Sequence, residues 1–353
     1  MSLNTTTMLR HSDKKFYFLT LVLAVCTIAT ITLSTGMGYM SIGAGDIFRV
    51  IGAHLFGDPG MLDGLEKTVP YVVMDVRLPR ILTAALVGAG LAMSGVIYQG
   101  ILLNPLADPY TLGISSGAAF GASLALLANV TALGHFSTPL FAFVGAIATL
   151  LVVMRLSTFN GQISAQTLIL SGVIVGAILS AGISFLKYLA DEQVAIIVFW
   201  LMGSFSSSTW TGVMLVGCAV LFGGTVTVFL GRDLNIMSLG RRSSDSLGVE
   251  TAKIRVILLL TASLVTAVCV AITGIIGFIG LIVPHLMRYL VGPDNRKLLP
   301  ASIFAGAILL LLADTVTRAV LPVEVPIGVL TALIGGPFFC VIFRQKQKGK
   351  SYE

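Results

Sequence analysis

Long apolar stretches separated by short polar ones dominate this chain, and their lengths set its architecture. The runs at 16–36, 81–103, 110–134, 136–154, 165–186, 209–230, 298–321 and 325–343 carry few or no charges. A helix rising 1.5 Å per residue needs about 20 residues to cross roughly 30 Å of hydrocarbon, so each run reads as a transmembrane helix. The strict alternation of a membrane barrel is missing. Residues 194–205 (VAIIVFWLMGSF) are apolar but too short to cross, and they predict a surface or re-entrant helix.

The run 256–287 poses a different problem. Apart from His285 it contains no acidic or basic side chain, and one straight helix of its length would extend about 48 Å, well past the hydrocarbon. Both flanks are basic: Arg232, Arg241, Arg242, Lys253 and Arg255 before it, Arg288, Arg296 and Lys297 after it. Basic loops stay in the cytoplasm. The segment is therefore expected to go out and return, breaking at Gly274, Gly277 and Gly280, with Pro284 weakening the helix beyond.

Ten crossings follow, with residues 1–15 and 344–353 as cytoplasmic tails around a single membrane domain, 16–343. This arrangement leaves only Arg49, Lys67, Arg77, Arg80, Lys187 and Arg318 outside, out of 22 Lys and Arg residues. The fold class expected is all-α: a polytopic membrane protein of about ten transmembrane helices. Composition agrees, with 56% hydrophobic and 11% charged residues against about 25% charged in soluble domains. The net charge of +6 then marks cytoplasmic loops rather than a nucleic-acid surface.

Chemistry-bearing patterns are sparse. Cys26, Cys218, Cys269 and Cys340 each stand alone in apolar sequence, and the four histidines form no HxxxH or HExxH, so no metal site is expected. Gly113-Ile-Ser-Ser-Gly117 matches G-x-S-x-G formally, but it lacks the strand–turn–helix setting and a partner base. The terminal Gly349-Lys350-Ser351 has Arg344 where a phosphate-binding loop needs glycine. No catalytic residue and no ATP site are expected in this polypeptide. Gly113, Gly117 and Gly121 form a small-residue stripe on one helix face, and Gly172 and Gly176 repeat it; such stripes let helices approach closely.

Three polar features remain. Asp314 and Arg318 share a helix face and could pair. Arg77 and Arg80, in VRLPR, sit at the outer mouth of the second crossing as anchors or as a binding surface. The segment GRDLNIMSLGRRSSDSLGVE, 231–250, is a polar interruption with Leu234, Ile236, Met237, Leu239 and Leu247 interleaved among charges. Gly240 and Gly248 stand where short helices would end. Two brief helices on the inner membrane face, or an ordinary basic loop, are expected there.

Together RLPRILTAALVGAGLAMSGVIYQ, NPLADPYTLGISSGAA, WLMGSF, TGIIGFIGLIVPHLMRYLVGPDNRKLLP, the Ala-Asp of LLLLADTVTR and VPIGVLTALIGGPFF resemble, in order, the FecCD family. Its members are the permeases of ATP-driven importers for iron–siderophores, haem and cobalamin. The resemblance covers about 77–343 and implies the type II ABC importer permease fold. It implies a homodimer with the path on its twofold axis, two separate ATPase subunits that carry ATP and Mg, and an extracytoplasmic substrate-binding protein. This chain itself would bind no cofactor and be no enzyme.

By the same resemblance the ATPase-coupling helices fall on Asp233, Leu234, Asn235, Met237, Leu239, Gly240, Arg241, Arg242, Ser243, Leu247 and Gly248. Docking of the binding protein falls on Arg77, Arg80 and Arg318, and the cytoplasmic gate on Ser164, Ala165 and Gln166. Leu103 and Asn295 depart from the arginine and histidine common in the family at those places. The rival class is an ion-gradient-driven secondary transporter or channel, for which Asp314 is the one obvious mid-membrane acid.

Overall fold

The computed structural model describes residues 3–38, 40–130, 134–159, 162–321 and 323–350. Among these, the helices in chain order are α1 (Leu3–Gly36), α2 (Ala44–Phe56), α3 (Thr68–Tyr71), α4 (Leu78–Ile101), α5 (Ile114–Leu127), α6 (Ser137–Ser157) and α7 (Ala165–Leu189). They continue as α8 (Val194–Leu201), α9 (Trp210–Met237), α10 (Arg241–Ser246), α11 (Thr251–Thr273), α12 (Ile279–Val291), α13 (Asn295–Ala319) and α14 (Ile327–Lys350). The described strands are two short ones, Thr158–Phe159 and Gln162–Ile163, paired antiparallel between α6 and α7.

Seven helical segments are long and apolar enough to span a bilayer, and three shorter apolar ones lie at Ile114–Leu127, Ile279–Val291 and Ile327–Val341. These ten correspond to the ten crossings expected. The break in 256–287 falls where the glycines put it: α11 ends at Thr273 and α12 begins at Ile279. Gly274 has φ +74°, and a Cβ there would lie 2.3 Å from the Trp200 carbonyl oxygen, so conformation and space both require glycine. The 13-residue return leg is only about 20 Å long. It survives at that length because α4 and α13 surround it, burying Ile279 through His285.

The centre of the bundle is α4, buried almost continuously from Leu78 to Ile101. Its broadest partner is α13, and Gly88 and Gly306 make that packing close. A Cβ on Gly88 would fall 2.2 Å from the Gly306 oxygen, and one on Gly306 would fall 2.4 Å from the Gly88 oxygen. The glycine stripe read from the sequence works the same way. A Cβ on Gly117 of α5 would meet the Gly145 oxygen of α6 at 2.5 Å. Without a hydrophobic driving force between helices in lipid, such backbone approach supplies the van der Waals contact that holds them. Buried polar pairs add register: the Tyr98 and Ser263 hydroxyls lie 2.7 Å apart, joining α4 to α11.

Two elements differ from the sequence expectation. Residues 44–56, where no membrane-length run predicts an element, form the amphipathic α2, whose Ile47, Val50 and Ala53 are buried at helical spacing. The second crossing is also longer than 81–103, running from Thr68 to Ile101 through a π-helical turn at Val72–Arg77.

Candidate functional site

One candidate region is the elbow between α9 and α11. The structure corrects the expectation of two brief helices: Asp233, Leu234, Asn235 and Met237 belong to the end of α9, and only α10 is separate. The apolar residues explain this, because Leu234 and Met237 are buried against the bundle and keep α9 helical to its end. Gly240, φ +90°, and Gly248, φ +81°, then turn the chain into and out of α10. Ser244 is fully buried, its hydroxyl 2.8 Å from both the Ile236 and Gly240 carbonyls. Thr251 donates to Asp245 at 2.9 Å. The elbow is thus a folded unit, and it leaves Leu239 and Leu247 62% and 61% exposed, with Ser243 exposed between them.

Asn235 ties that elbow to the next helical hairpin. Its side-chain amide donates to Asp294 at 2.6 Å, and its side-chain oxygen accepts from the backbone N–H of Asn295 at 2.8 Å and from the Asn295 side chain at 2.9 Å. Asp294 in turn caps α13 by accepting from the Arg296 N–H at 3.0 Å. These bonds fasten the end of α9 directly to the start of α13. The departure from histidine at Asn295 has a visible consequence, a side-chain amide that completes this clip.

The predicted gate lies at the same end. Ser164 caps α7, its hydroxyl accepting from the Thr167 N–H at 3.1 Å, and Ala165 and Gln166 form the first turn. Ser164 and Gln166 are exposed. Arg255, one turn into α11, donates to the Ile163 carbonyl at 2.6 Å and so links the gate turn to the helix that follows the elbow.

The three arginines lie at the opposite end, and their geometry departs from the expected projecting cations. Arg77 and Arg80 are only 6% and 9% exposed. Helix α1 ends there, and its last carbonyls have no intrahelical donor. Arg77 donates to Thr35 O at 2.7 Å and to Gly36 O at 3.3 Å, and also to Met40 O. Arg318 donates to Ser34 O at 2.7 Å and to Met37 O at 2.5 Å. These guanidinium groups cap α1 from neighbouring helices. The expected Asp314–Arg318 pair is present at 4.0 Å, and a closer partner joins it: Arg80 holds Asp314 at 2.8 Å. A half-exposed Glu324 reaches the same Arg80 at 2.6 Å.

Sequence reading missed Asp294, Glu324 and the capping role of the arginines, since each depends on contacts between distant segments. A π turn leaves no clear trace in residue spacing, yet the one that ends at Arg77 runs directly into α4, which carries Arg80 in its first turn. For Asp294 a signal existed: aspartate directly before a helix start is a capping pattern. Among the described residues no cluster of three or more His, Cys, Asp or Glu could hold a metal. Ser115 of the formal G-x-S-x-G is buried within α5.

Comparison with known proteins accords with this architecture. Residues 24–345 match the FecCD transport family. The molybdate import system permease protein MolB of Haemophilus influenzae is 40% identical over 339 residues, covering 95% of this chain and 97% of that one. The cobalamin import system permease protein BtuC of Halobacterium salinarum is 42% identical over 285 residues, covering 80% and 76%. A solved structure described as an inward-facing conformation of a metal-chelate type ABC transporter superposes with TM-score 0.81 at 35% identity, covering 92% of this chain and 98% of that one. With nearly the whole ten-span bundle matched in sequence and in shape, this chain belongs to the FecCD transport family.

Proposed function

We propose that this chain is the membrane permease of an ATP-driven importer, working as a homodimer with two separate ATPase subunits and an extracytoplasmic substrate-binding protein. The observation that carries the reading is the elbow: a folded, polar-flanked unit that holds two leucines out of the bundle while Asn235 clips it to α13. Exposed leucines beside serines and charges suit a protein partner that inserts contacts and pushes. In this reading both tails and the elbow face the cytoplasm, following the basic-residue bias. ATP binding closes the ATPases, moves the elbows, and shifts α13 and the Ser164–Gln166 turn between outward and inward access.

The apolar outer faces of α7 (Leu170, Val173, Ile174, Ile178) and α14 (Leu333, Ile334) supply surface for a second copy. Beside them lies a cavity of about 560 Å³ lined by Leu201, Met202, Ile275, Gly277, Val329 and Leu333. No cation lines it. A naked oxyanion would need donors there, whereas a metal enclosed in its own chelator would not. The cargo proposed is thus a metal chelate of the siderophore, haem or cobalamin kind. At the far end, the arginine network underlies the surface where acidic groups of the binding protein would dock, which favours encounter and register more than raw affinity.

The ion-gradient alternative requires a titratable acid on the path. Asp314 instead lies between Arg80 and Arg318. The separating experiment is uptake by proteoliposomes containing this chain with its ATPase and binding protein. Uptake that needs internal ATP supports the importer; uptake driven by a proton gradient without the ATPase contradicts it.

A further inference from the structure

A second polar cavity lies near the elbow but outside the machinery described above. It measures about 520 Å³, opens between α1, α9 and the start of α13, and is lined by Phe16, Tyr17, Val228, Asp294, Arg296 and Lys297. Its chemistry is divided. On one side stand two cations, with Lys297 placed 5.8 Å from the Phe16 ring centre. Among the described residues no carboxylate pairs with Arg296, whose stem lies over Gly231, where a Cβ would sit 3.4 Å from its Cγ. Lys14 and Lys15, next to Phe16 in sequence, and Arg232, one turn beyond Val228, are exposed and basic as well. The one acid among the described lining residues, Asp294, already accepts from Asn235 and from the Arg296 N–H. On the other side the cavity continues into lipid-facing surface. Tyr17 is 69% exposed and Val228 66%. Leu21, one turn from Tyr17, and Leu221, two turns from Val228, extend both faces and are 62% and 74% exposed.

We propose that this cavity is a binding site for an anionic glycerophospholipid, with the phosphate on Arg296 and Lys297 and the acyl chains along the apolar faces of α1 and α9. Basic pockets between membrane helices, with aromatic rings at headgroup depth, recognise this chemistry. A free phosphate shares the headgroup chemistry, but it would leave the apolar continuation uncovered. Through Asp294 the occupied site adjoins the Asn235 clip, so the lipid would brace the elbow's attachment to α13.

The test is native mass spectrometry of the purified full-length permease, titrated with dioleoylphosphatidylglycerol or dioleoylphosphatidylcholine. Phosphatidylglycerol should bind preferentially. R296Q/K297Q should weaken it on the order of thirtyfold, at about one basic contact's worth each, and leave phosphatidylcholine unchanged. R296K/K297R should retain binding. Val228→Glu, an exposed change that puts a carboxylate in the groove, should also reduce it and stands in should the double variant fold poorly. Equal retention of both lipids, or undiminished phosphatidylglycerol binding by R296Q/K297Q and by Val228→Glu, would overturn the proposal. So would displacement of the lipid by excess inorganic phosphate, which would make the site one for a free anion.

Discussion

Arg80 of α4 and Asp314 of α13 form a buried, doubly hydrogen-bonded ion pair, with Nη2 and Nε of the arginine 2.8 and 3.1 Å from one carboxylate oxygen. The side chains are 11% and 2% exposed. Removing one member of such a pair strands the other charge, which costs about 3–5 kcal/mol, whereas replacing both with apolar residues is far milder. Arg80→Met alone, which leaves the buried Asp314 with only the 4.0 Å contact to Arg318, should therefore lower the thermal unfolding temperature of the detergent-purified protein more than Arg80→Met with Asp314→Leu together. Equal losses would show that the pair is not what matters there.

Asn235→Ala should leave the bundle folded and loosen the elbow from α13, because the elbow's own hydrogen bonds from Ser244 and Thr251 remain. In the assembled importer, the ATPase should still turn over while cargo moved per ATP falls by about fivefold or more, the lower end of typical coupling energies. The pair of assays is ATP hydrolysis and uptake on the same proteoliposomes. A parallel fall in both would place Asn235 in folding rather than in coupling.

Gly88→Ala should destabilise the α4–α13 contact by roughly 1–3 kcal/mol or more, since the new methyl meets backbone rather than a yielding side chain. Gly336→Ala, where nothing lies within 4 Å, is the matched control and should be near neutral. Unfolding midpoints of the two variants decide it; similar values would contradict the close packing.

Glu324, 47% exposed at its side chain, competes for Arg80 with any carboxylate arriving from outside. Glu324→Gln should tighten docking of the binding protein by a few-fold at most, as expected for a partly exposed pair. The gain should shrink as salt rises. Docking measured by surface plasmon resonance at two ionic strengths checks this, and weaker docking would mean that Glu324 itself contacts the partner.

Which parts of this architecture could be read from the sequence follows from how local their causes are. Span lengths and the broken return at Gly274 are one-dimensional properties, set by hydrocarbon thickness and by the few residues that tolerate a turn, and they emerged with small shifts of boundary. The stripe at Gly117 and Gly121 was legible for the same reason. Arg77, Arg80 and Arg318 stand out in the sequence as ionisable groups, yet their geometry does not, because Arg77 and Arg318 bond carbonyls at the end of α1, 42 and 284 positions away, and Arg80 bonds Asp314, 234 positions away. The clip from Asn235 to Asp294, 59 positions apart, escaped on the same ground. Helix α2 is legible in principle from Ile47, Val50 and Ala53, but at 13 residues its pattern falls below the length that marks a crossing.

The central claim is that the elbow faces the cell interior and engages an ATPase there, and labelling at Ser243 tests it most directly. Ser243→Cys is placed in a chain whose Cys26, Cys218, Cys269 and Cys340 are replaced by serine or alanine, and a membrane-impermeant maleimide is applied. The account predicts no labelling in intact cells, ready labelling in inverted vesicles stripped of the ATPase, and protection when the ATPase is added back. Ready labelling from outside intact cells would contradict it.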